Sequence, residues 1–126
     1  MHDTRPNPVV SIVIPAKNEA DNIRPLVAEI RTAMADKFPF ELIYVDDGSN
    51  DATYATLQAL RAEGVNELKV LRHQQSVGQS LAIISGAWQA SGEWLVVLDA
   101  DGQNDPADIP GMLTAVQAAH AKDPRV

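Results

Sequence analysis

The sequence predicts an α/β fold in which a parallel sheet is flanked by helices. Four short runs of β-branched and apolar residues alternate with segments whose apolar residues recur at helical spacing. The connections between them are short, so each strand–helix–strand unit places its two strands parallel. The chain has 126 residues, of which 45% are hydrophobic, and this is enough for one domain with a substantial core.

The first half of the chain predicts two strands and the helix between them. A β-branched run over residues 9–14 ends at Pro15 and is expected to be a buried strand. A helix over residues 20–37 follows, with Asn22 expected as its cap and Pro25 within its first turn. The residues expected on its inner face are Ile23, Leu26, Val27, Ile30 and Met34. A second strand is expected over residues 40–45.

The second half repeats the pattern twice. A helix capped by Asp51 and ended by Gly64 leads into a third strand over residues 68–71. A helix over residues 78–90 precedes a fourth strand over residues 94–98, and Asp105-Pro106 opens a last helix. The residues predicted to face inward are Tyr54, Leu57 and Leu60 in the second helix, Leu81, Ile84 and Trp88 in the third, and Ile109, Met112, Leu113 and Val116 in the last.

Charge and composition exclude several classes of protein. The net charge of −7 argues against a nucleic-acid surface, which would need a basic stripe. The absence of cysteine excludes disulfides and thiolate metal sites. No apolar run approaches the ~18 residues of a transmembrane helix. Residues 1–8 are expected to form a flexible N-terminus without the layout of a signal peptide, which predicts a cytoplasmic location.

Three polar loops follow predicted strands, at residues 17–19, 46–47 and 99–103. In parallel sheets, ligands bind beyond the carboxyl ends of the strands, where the strand order reverses. We therefore expect these loops to share one rim of the sheet.

The third of these loops carries two carboxylates one residue apart. Asp99, Asp101 and Gln103 offer oxygen ligands of the kind that a hard divalent cation prefers. A turn is the alternative interpretation, because Asp and Gly favour turns for local reasons. Asp99 follows a run of apolar residues and is expected to be partly buried, where an unpaired carboxylate is costly, and this favours the metal site.

The other two loops have weaker signals. Asp46 and Asp47 are placed to accept hydrogen bonds from a ribose hydroxyl or a base N–H, or to cap the following turn. The loop after the first strand has no Gly-rich dinucleotide or P-loop pattern, although its backbone is placed to contact a base. His73 is expected to be a solvated loop residue, and no Ser-His-Asp set is evident.

Taken together, these motifs resemble the family 2 inverting nucleotide-sugar glycosyltransferases. The likeness is greatest to the dolichol-phosphate mannosyltransferase and bacterial polyprenyl-phosphate glycosyltransferase branch. It covers nearly the whole chain and is carried, in order, by residues 11–19, 45–51, 78–79, 90–93 and 98–103. The resemblance implies a Rossmann-like sheet, the nucleotide-binding part of a GT-A domain.

The resemblance also implies roles for individual residues. Asp47 matches the acid that contacts the nucleotide, and Asp99 and Asp101 match the metal-binding D-x-D motif. Gln103 matches a glutamine of the metal shell. The full nucleotide-binding set expected is Pro15, Ala16, Glu19, Asp46, Asp47 and Asp99. The implied metal is Mg²⁺ or Mn²⁺, bridging to the donor diphosphate.

The implied activity is metal-dependent transfer of a sugar, with inversion, from a nucleotide-diphosphate sugar to a polyprenyl (dolichyl or undecaprenyl) phosphate. Residues 9–126 are expected to be the donor-binding subdomain, truncated before the acceptor-side half that holds the catalytic residues. The isolated chain is expected to be inactive. The full-length protein is expected at the cytoplasmic face of a membrane.

Other functions stay open from the sequence. A relative of the same family acting on a polysaccharide or other non-lipid acceptor is one. The D-x-D-G of residues 99–102 suggests a haloacid-dehalogenase-type phosphohydrolase, although that family carries it after the first strand. Alternating oxygen ligands from Asp99 suggest a calcium module, although Pro110 stands where the last ligand should be. The acidic pair at residues 46–47 suggests a receiver domain, although that pair also belongs after the first strand.

Overall fold

A four-stranded parallel sheet with helices on both faces forms the centre of the protein, as the sequence predicts. The structure is a computed structural model and describes residues 7–126. Most of the predicted flexible N-terminus therefore lies outside the described residues. Within the described part of the chain, no helix is both long enough and apolar enough to cross a membrane.

The strands reverse their order beside the first one. The strands are β1 (Val10–Ala16), β2 (Phe40–Asp47), β3 (Leu68–His73) and β4 (Trp94–Val97). Their spatial order is β3-β2-β1-β4, so the chain builds outward in one direction and then returns to the other side of β1. The carboxyl ends of β1 and β4 therefore form the switch point at which such sheets bind ligands.

The first three strands extend two residues further than the sequence predicted. β1 continues through Pro15 to Ala16, which pairs with Asp46 of β2. Pro15 lies past the last β1–β4 pair, Val13 with Val97, so its missing N–H costs less than it would in the doubly paired part of the strand. β2 continues through both of its aspartates, because Asp47 pairs with His73 of β3.

Three helices connect the strands, and a short turn and a fourth helix follow β4. The helices are α1 (Ala20–Met34), α2 (Thr53–Ala62), α3 (Gln79–Trp88) and α4 (Ile109–Lys122), the last preceded by a 3₁₀ turn (Pro106–Asp108). The main core lies between one sheet face and α1, α2 and α4, and all five residues predicted on the inner face of α1 are buried there. Ala82 of α3 packs on the opposite face, against Val13, Ile43 and Val45.

The inner face predicted for α3 is wrong. Leu81, Ile84 and Trp88 are exposed, Trp88 to 82%, and the buried residues of this helix are Ala82 and Gly86. A Cβ at position 86 would lie only 2.5 Å from a methyl carbon of Val13. The helix thus approaches the sheet through its smallest residues, and a pattern that counts only bulky apolar residues selects the opposite face.

Smaller corrections concern α1 and α4. α1 begins at Ala20, two residues before Asn22, so Asn22 is not its cap and Pro25 lies in the second turn. In α4, Ile109 and Leu113 are buried as predicted, but Met112 is 48% exposed.

Of the two ends predicted for α2, the Gly64 end is confirmed, but the N-cap position is Ala52 and not Asp51, which lies one residue earlier. Asp51 Oδ1 accepts a hydrogen bond from the N–H of Thr53 at 2.9 Å, at the start of the helix. Gly64 has a φ of +104°, and the N–H of Val65 donates to the carbonyl of Leu60, which closes the last turn.

A buried polar network fixes the approach to β4. Glu41 of β2 accepts hydrogen bonds from Ser11 Oγ at 2.6 Å and from the Ser91 N–H at 2.7 Å, and it pairs with Lys69. The N–H of Gly92 donates to Ser11 Oγ at 2.8 Å. The segment before β4 is thereby held against β1 and β2, which sets where the loop after β4 emerges.

Candidate functional site

A cleft of about 320 Å³ opens at the carboxyl ends of β1 and β4, where the strand order reverses. Its lining comes from the segments that follow all four strands: Pro15, Ala16, Lys17, Glu19, Asp47, Ser76, Gly78, Gln79, Asp99, Ala100 and Asp101. The structure thus brings the carboxylates of the β1, β2 and β4 loops together at one rim.

Asp46 does not reach the cleft, although the sequence placed it in the nucleotide set. Asp46 and Asp47 are neighbours in β2, so their side chains leave opposite faces of the sheet. Asp46 is fully buried and accepts a hydrogen bond from the Ser49 N–H at 3.1 Å, while Arg72 Nε lies 3.9 Å from its other oxygen. This carboxylate supports the turn after β2.

Gln103 also lies away from the cleft. Its side chain lines a separate depression against α1, beside Glu29 and Thr32. β4 ends at Val97, so the segment that follows is a turn, in which Gly102 has a φ of +79° and the Gln103 N–H donates to Asp101 Oδ1 at 3.1 Å. This turn separates Gln103 from the two carboxylates with which the sequence grouped it.

Asp47 is the most constrained side chain of the cleft. Oδ1 accepts the Val77 N–H at 2.9 Å, and Oδ2 accepts the Gly78 N–H at 2.9 Å and the Ser76 hydroxyl at 3.0 Å. Burial alone raises the pKa of Asp47, but the hydrogen bonds from Val77, His73, Gly78 and Ser76 outweigh it and lower that pKa to about 2. Asp47 is therefore an ionised acceptor that holds the β3–α3 loop.

His73 is not the solvated loop residue that the sequence predicted. It is the last residue of β3, its side chain is 22% exposed, and its Nδ1 lies 2.9 Å from Asp47 Oδ1. Its Nε2 lies 2.9 Å from Ser85 Oγ. A Ser-His-Asp chain is thus present, contrary to expectation. The missed signal is the register that pairs Asp47 with His73, since the third strand was predicted to end at Leu71.

The Ser85–His73–Asp47 chain is not built for nucleophilic catalysis. Ser85 lies in the middle of α3, where the backbone N–H groups are used by the helix. Acyl transfer needs free donors beside the nucleophile to stabilise the developing oxyanion. Ser85, His73 and Asp47 therefore form a structural hydrogen-bond chain.

The loop after β1 is held by the loop after β2. The Glu19 N–H donates to Thr53 Oγ1 at 3.0 Å, and the Asn18 N–H donates to Ser49 Oγ at 2.9 Å. In return the Asn50 N–H donates to Asn18 Oδ1 at 2.8 Å. These contacts place the backbone beside Glu19 in a defined position before any ligand binds.

The charge in the cleft is strongly negative. Four carboxylates line it, from Glu19, Asp47, Asp99 and Asp101, and Lys17 contributes a positive charge at its edge. Asp99 is half-buried and Asp101 is exposed. An anionic ligand would be repelled from such a site unless a cation came with it.

The donor set fits a divalent cation that is shared with a ligand. Carboxylate oxygens are hard ligands suited to Mg²⁺ or Mn²⁺. Among residues 7–126, no three His, Asp or Glu side chains are gathered closely enough to hold a metal ion by themselves. Asp99 and Asp101 can thus supply part of an oxygen shell, and phosphate oxygens can complete it.

The family of the chain is decided by its match to a family model. The model described as glycosyl transferase family 2 matches residues 11–123. This chain belongs to glycosyl transferase family 2. The parallel sheet and flanking helices are the Rossmann-like α/β fold of its structural relatives.

The curated relatives of this family 2 chain are sugar transferases. It is 36% identical over 118 residues to a dolichol-phosphate mannosyltransferase of Mycosarcoma maydis, covering 90% of this chain and 40% of that protein. It is 38% identical over 114 residues to the undecaprenyl-phosphate 4-deoxy-4-formamido-L-arabinose transferase of Yersinia enterocolitica, covering 88% and 34%. The chain spans between 30% and 40% of the length of such relatives.

Solved structures show the same fold with ligands bound. The mannosyltransferase PcManGT from Pyrobaculum calidifontis, in complex with GDP-Man and Mn²⁺, superposes with a TM-score of 0.73 at 25% identity. The match covers 89% of this chain and 32% of that one. S. aureus TarS 1–349, in complex with UDP-GlcNAc, superposes with a TM-score of 0.69 at 25% identity, over 89% and 32% of the two chains. Both neighbours hold nucleotide sugars, and the first also holds a divalent cation.

Proposed function

We propose that this chain is the donor-binding part of a glycosyltransferase that moves a sugar from a nucleotide-diphosphate sugar to a polyprenyl phosphate with inversion. The observation that carries the proposal is the cleft at the β1/β4 switch point, where Asp99 and Asp101 lie with Glu19 and Asp47. Relatives named for dolichol and undecaprenyl phosphates support the acceptor class. Residues 9–126 form the donor-binding subdomain, and the remainder of a longer protein supplies the acceptor side.

The nucleoside lies, in this proposal, at the β1 side of the cleft. Pro15, Ala16 and Glu19 line that side. Pairing with β2 holds Pro15 and Ala16, and a hydrogen bond to Thr53 holds the Glu19 N–H. Asp47 forms the neighbouring wall. Four donors already occupy the roughly four acceptor positions of its carboxylate, so Asp47 acts by holding the loop rather than by gaining a further donor from the base.

The diphosphate lies at the β4 side, beside Asp99 and Asp101. Two carboxylates repel a diphosphate at contact distance, so they act on the donor by sharing a cation with it. Asp99 and Asp101 would hold Mg²⁺ or Mn²⁺ there. When bound, the cation stabilises negative charge on the departing nucleoside diphosphate. A phosphate acceptor is already a nucleophile, so its attack on the opposite face of the sugar requires little help from a general base.

The resemblance to the family implies that Gln103 is a metal ligand, but Gln103 lines the depression against α1. The substitution Gln103→Ala separates the two possibilities. A weaker affinity for Mn²⁺ in the presence of nucleotide assigns Gln103 to the metal shell, which requires its side chain to turn toward the cleft. An unchanged affinity assigns the protein ligands to Asp99 and Asp101 alone.

The three functions outside this family that the sequence left open do not fit this fold. A haloacid-dehalogenase or receiver site requires its acids after the first strand, whereas Asp99 follows β4 and Asp47 ends β2. An EF-hand-like calcium loop would direct alternate ligands to one point, whereas Gln103 lies away from Asp99 and Asp101. Transfer to a polysaccharide acceptor uses the same donor cleft and differs only on the acceptor side.

Calorimetry tests the proposal directly. We expect GDP or UDP to bind this chain in the presence of Mn²⁺ or Mg²⁺, and to bind at least about tenfold more weakly without the cation, a difference of about 1.4 kcal/mol. We expect little transfer by this chain alone. Failure of both nucleotides to bind with either cation would contradict the proposal, as would tight binding that is independent of the cation. For the longer protein we propose action at the cytoplasmic face of a membrane.

A further inference from the structure

A chain of hydrogen bonds runs from α3 through the end of β3 to the end of β2. Ser85 Oγ lies 2.9 Å from His73 Nε2, and His73 Nδ1 lies 2.9 Å from Asp47 Oδ1. The β2–β3 register pairs Asp47 with His73, so both side chains leave the same face of the sheet, beneath α3. Their side chains are 6% and 22% exposed. Water is therefore a poor substitute for these contacts.

The other partners of Asp47 fix the direction of each bond. The Val77 and Gly78 N–H groups and the Ser76 hydroxyl all donate to this carboxylate, so Asp47 acts as an acceptor. His73 Nδ1 must then carry a hydrogen. In the neutral ring, Nε2 is the acceptor and takes the hydroxyl hydrogen of Ser85. The geometry thus specifies one tautomer of His73.

The same carboxylate joins this chain to the cleft. Ser76 and Gly78, which donate to Asp47, also line the cleft together with Gln79. Gly78 immediately precedes α3 and has a φ of +101°, so the chain turns at this residue. Its N–H donates to Asp47, and the position of this carboxylate therefore helps to set the path of the loop. A shift of the Asp47 carboxylate would move the wall of the cleft.

We propose that His73, oriented by Ser85, is a positioning residue that fixes Asp47 and through it the wall of the cleft at residues 76–79. His73 does not line the cleft, so it acts on a bound nucleotide only through Asp47 and the loop. The part of this inference that concerns nucleotide rests on the proposed function. The part that concerns the loop does not, because it is measurable in the free chain.

Nitrogen-15 NMR of the histidine side chains tests the direction of the chain in the free protein. We expect neutral His73 to show a protonated Nδ1 and an unprotonated Nε2. His120 offers an internal comparison, because its ring is on α4, away from Asp47, and its Nδ1 lies near the exposed backbone oxygen of Val126, the last residue. A His73 ring with its hydrogen on Nε2 would overturn the proposal.

Hydrogen exchange tests the hold on the loop, again without nucleotide. We expect His73→Leu to speed exchange of the Val77 and Gly78 N–H groups by about tenfold, because their acceptor is no longer fixed. His73→Asn should restore slow exchange, since the Asn amide nitrogen occupies the place of Nδ1. Exchange of Leu57 in α2 should stay unchanged in both variants. Equal exchange of Val77 and Gly78 in wild type and His73→Leu would refute the role of His73.

Should His73→Leu fail to fold, Ser85→Ala provides the same comparison with a smaller change. It removes only the contact to Nε2, and we expect a smaller acceleration at Val77 and Gly78 than His73→Leu would cause. Exchange at Val77 and Gly78 could instead be unchanged in Ser85→Ala and equal to wild type in His73→Asn. This result would show that His73 is oriented without Ser85 and would overturn the role assigned to Ser85.

Titration with GDP and Mn²⁺ tests the consequence for the ligand. We expect about tenfold weaker binding by His73→Leu, and binding within about twofold of wild type for His73→Asn and for the control His120→Leu. Equal affinity of wild type and His73→Leu would overturn the positioning role. If wild type bound neither GDP nor UDP, the proposed function would fail instead, and the tautomer and exchange results would still decide the role of His73.

Discussion

The N–H of Gly78 donates to Oδ2 of Asp47 across 2.9 Å and so ties the beginning of α3 to the end of β2. The neighbouring Val77 N–H donates to Oδ1 at the same distance. Both N–H groups lie immediately before α3, and the charge of the carboxylate complements the dipole of that helix. One acidic side chain therefore fixes both a helix and a wall of the cleft.

The first prediction concerns the pH dependence of this contact. The pKa of Asp47 is lowered to about 2 in the folded chain from 3.8 otherwise, so folding favours the ionised form. Its contribution, about 1 to 2 kcal/mol, is complete above the unfolded pKa and is lost as the pH falls through the folded pKa. We expect Asp47→Asn to lower the free energy of unfolding by about 2 kcal/mol at neutral pH, since its amide nitrogen faces an N–H donor.

Denaturant unfolding at several pH values checks this prediction. The difference between wild type and Asp47→Asn should be constant above about pH 5 and should shrink between about pH 4 and pH 2. Asp36→Asn is the matched control, because Asp36 is exposed and Asn tolerates its φ of +59° equally well. A difference that does not vary with pH would contradict the assigned cause.

The second prediction concerns the contact between two loops. Gly48 has a φ of +71°, and a Cβ there would lie 2.5 Å from the backbone nitrogen of Ser76. Gly48→Ala therefore adds a backbone clash to the strain of the left-handed conformation, and we expect a loss of about 3 kcal/mol. Gly64→Ala has the same kind of strain, at a φ of +104°, but open space around the Cβ, and it should cost only about 1 kcal/mol. Equal losses in thermal or denaturant unfolding would argue against the loop contact.

The third prediction concerns the packing of α3 on the sheet. A Cβ at Gly86 would meet methyl groups of Val13 at 2.5 Å and Val45 at 3.2 Å, so we expect Gly86→Ala to cost about 1 to 3 kcal/mol. Gly111 lies within α4, and nothing stands within 4 Å of its added Cβ. Gly111→Ala should therefore stabilise the chain by about 0.5 to 1 kcal/mol. The same substitution in two helices should shift the melting temperature in opposite directions, and a higher melting temperature for Gly86→Ala would show that α3 does not pack as described.

The fold was predictable because strand and helix periodicities are local properties of the sequence. The four strands and four helices appear in the predicted order. The ends of the strands were not predictable in the same way. Asp46 and Asp47 are polar, so they resemble a loop in the sequence, but both residues pair with β3. The inner face of α3 was missed for a related reason: its contact depends on the room left by Ala82 and Gly86, and the distance between a helix and a sheet is a property of tertiary packing.

The cleft was predictable in outline, because the carboxyl ends of parallel strands meet at one edge. That rule placed Asp47, Asp99 and Asp101 together, but it does not say toward which face a side chain points. For this reason the sequence grouped Asp46 with Asp47, whereas in the structure Asp46 is buried and only Asp47 lines the cleft. His73 was missed because its partner is fixed by the β2–β3 register, and the periodicity of a single strand does not give the register.

The last prediction isolates the charge of Asp101. Asp101→Asn retains an oxygen that can accept the Gln103 N–H, so the turn is preserved while the charge is removed. We expect GDP or UDP to bind the variant at least about tenfold more weakly than wild type when Mn²⁺ is present. Without metal, binding should be equal or slightly tighter, because one repulsive carboxylate has gone. Asp108→Asn removes an exposed charge outside the cleft and should behave as wild type.

The most direct measurement of the central claim is the coupling between cation and nucleotide in wild type and Asp101→Asn, measured by calorimetry. We expect Mn²⁺ to strengthen nucleotide binding in wild type and most of this strengthening to disappear in Asp101→Asn. The same strengthening in both proteins would show that the cation is held elsewhere, and Asp101 would then not be a metal ligand.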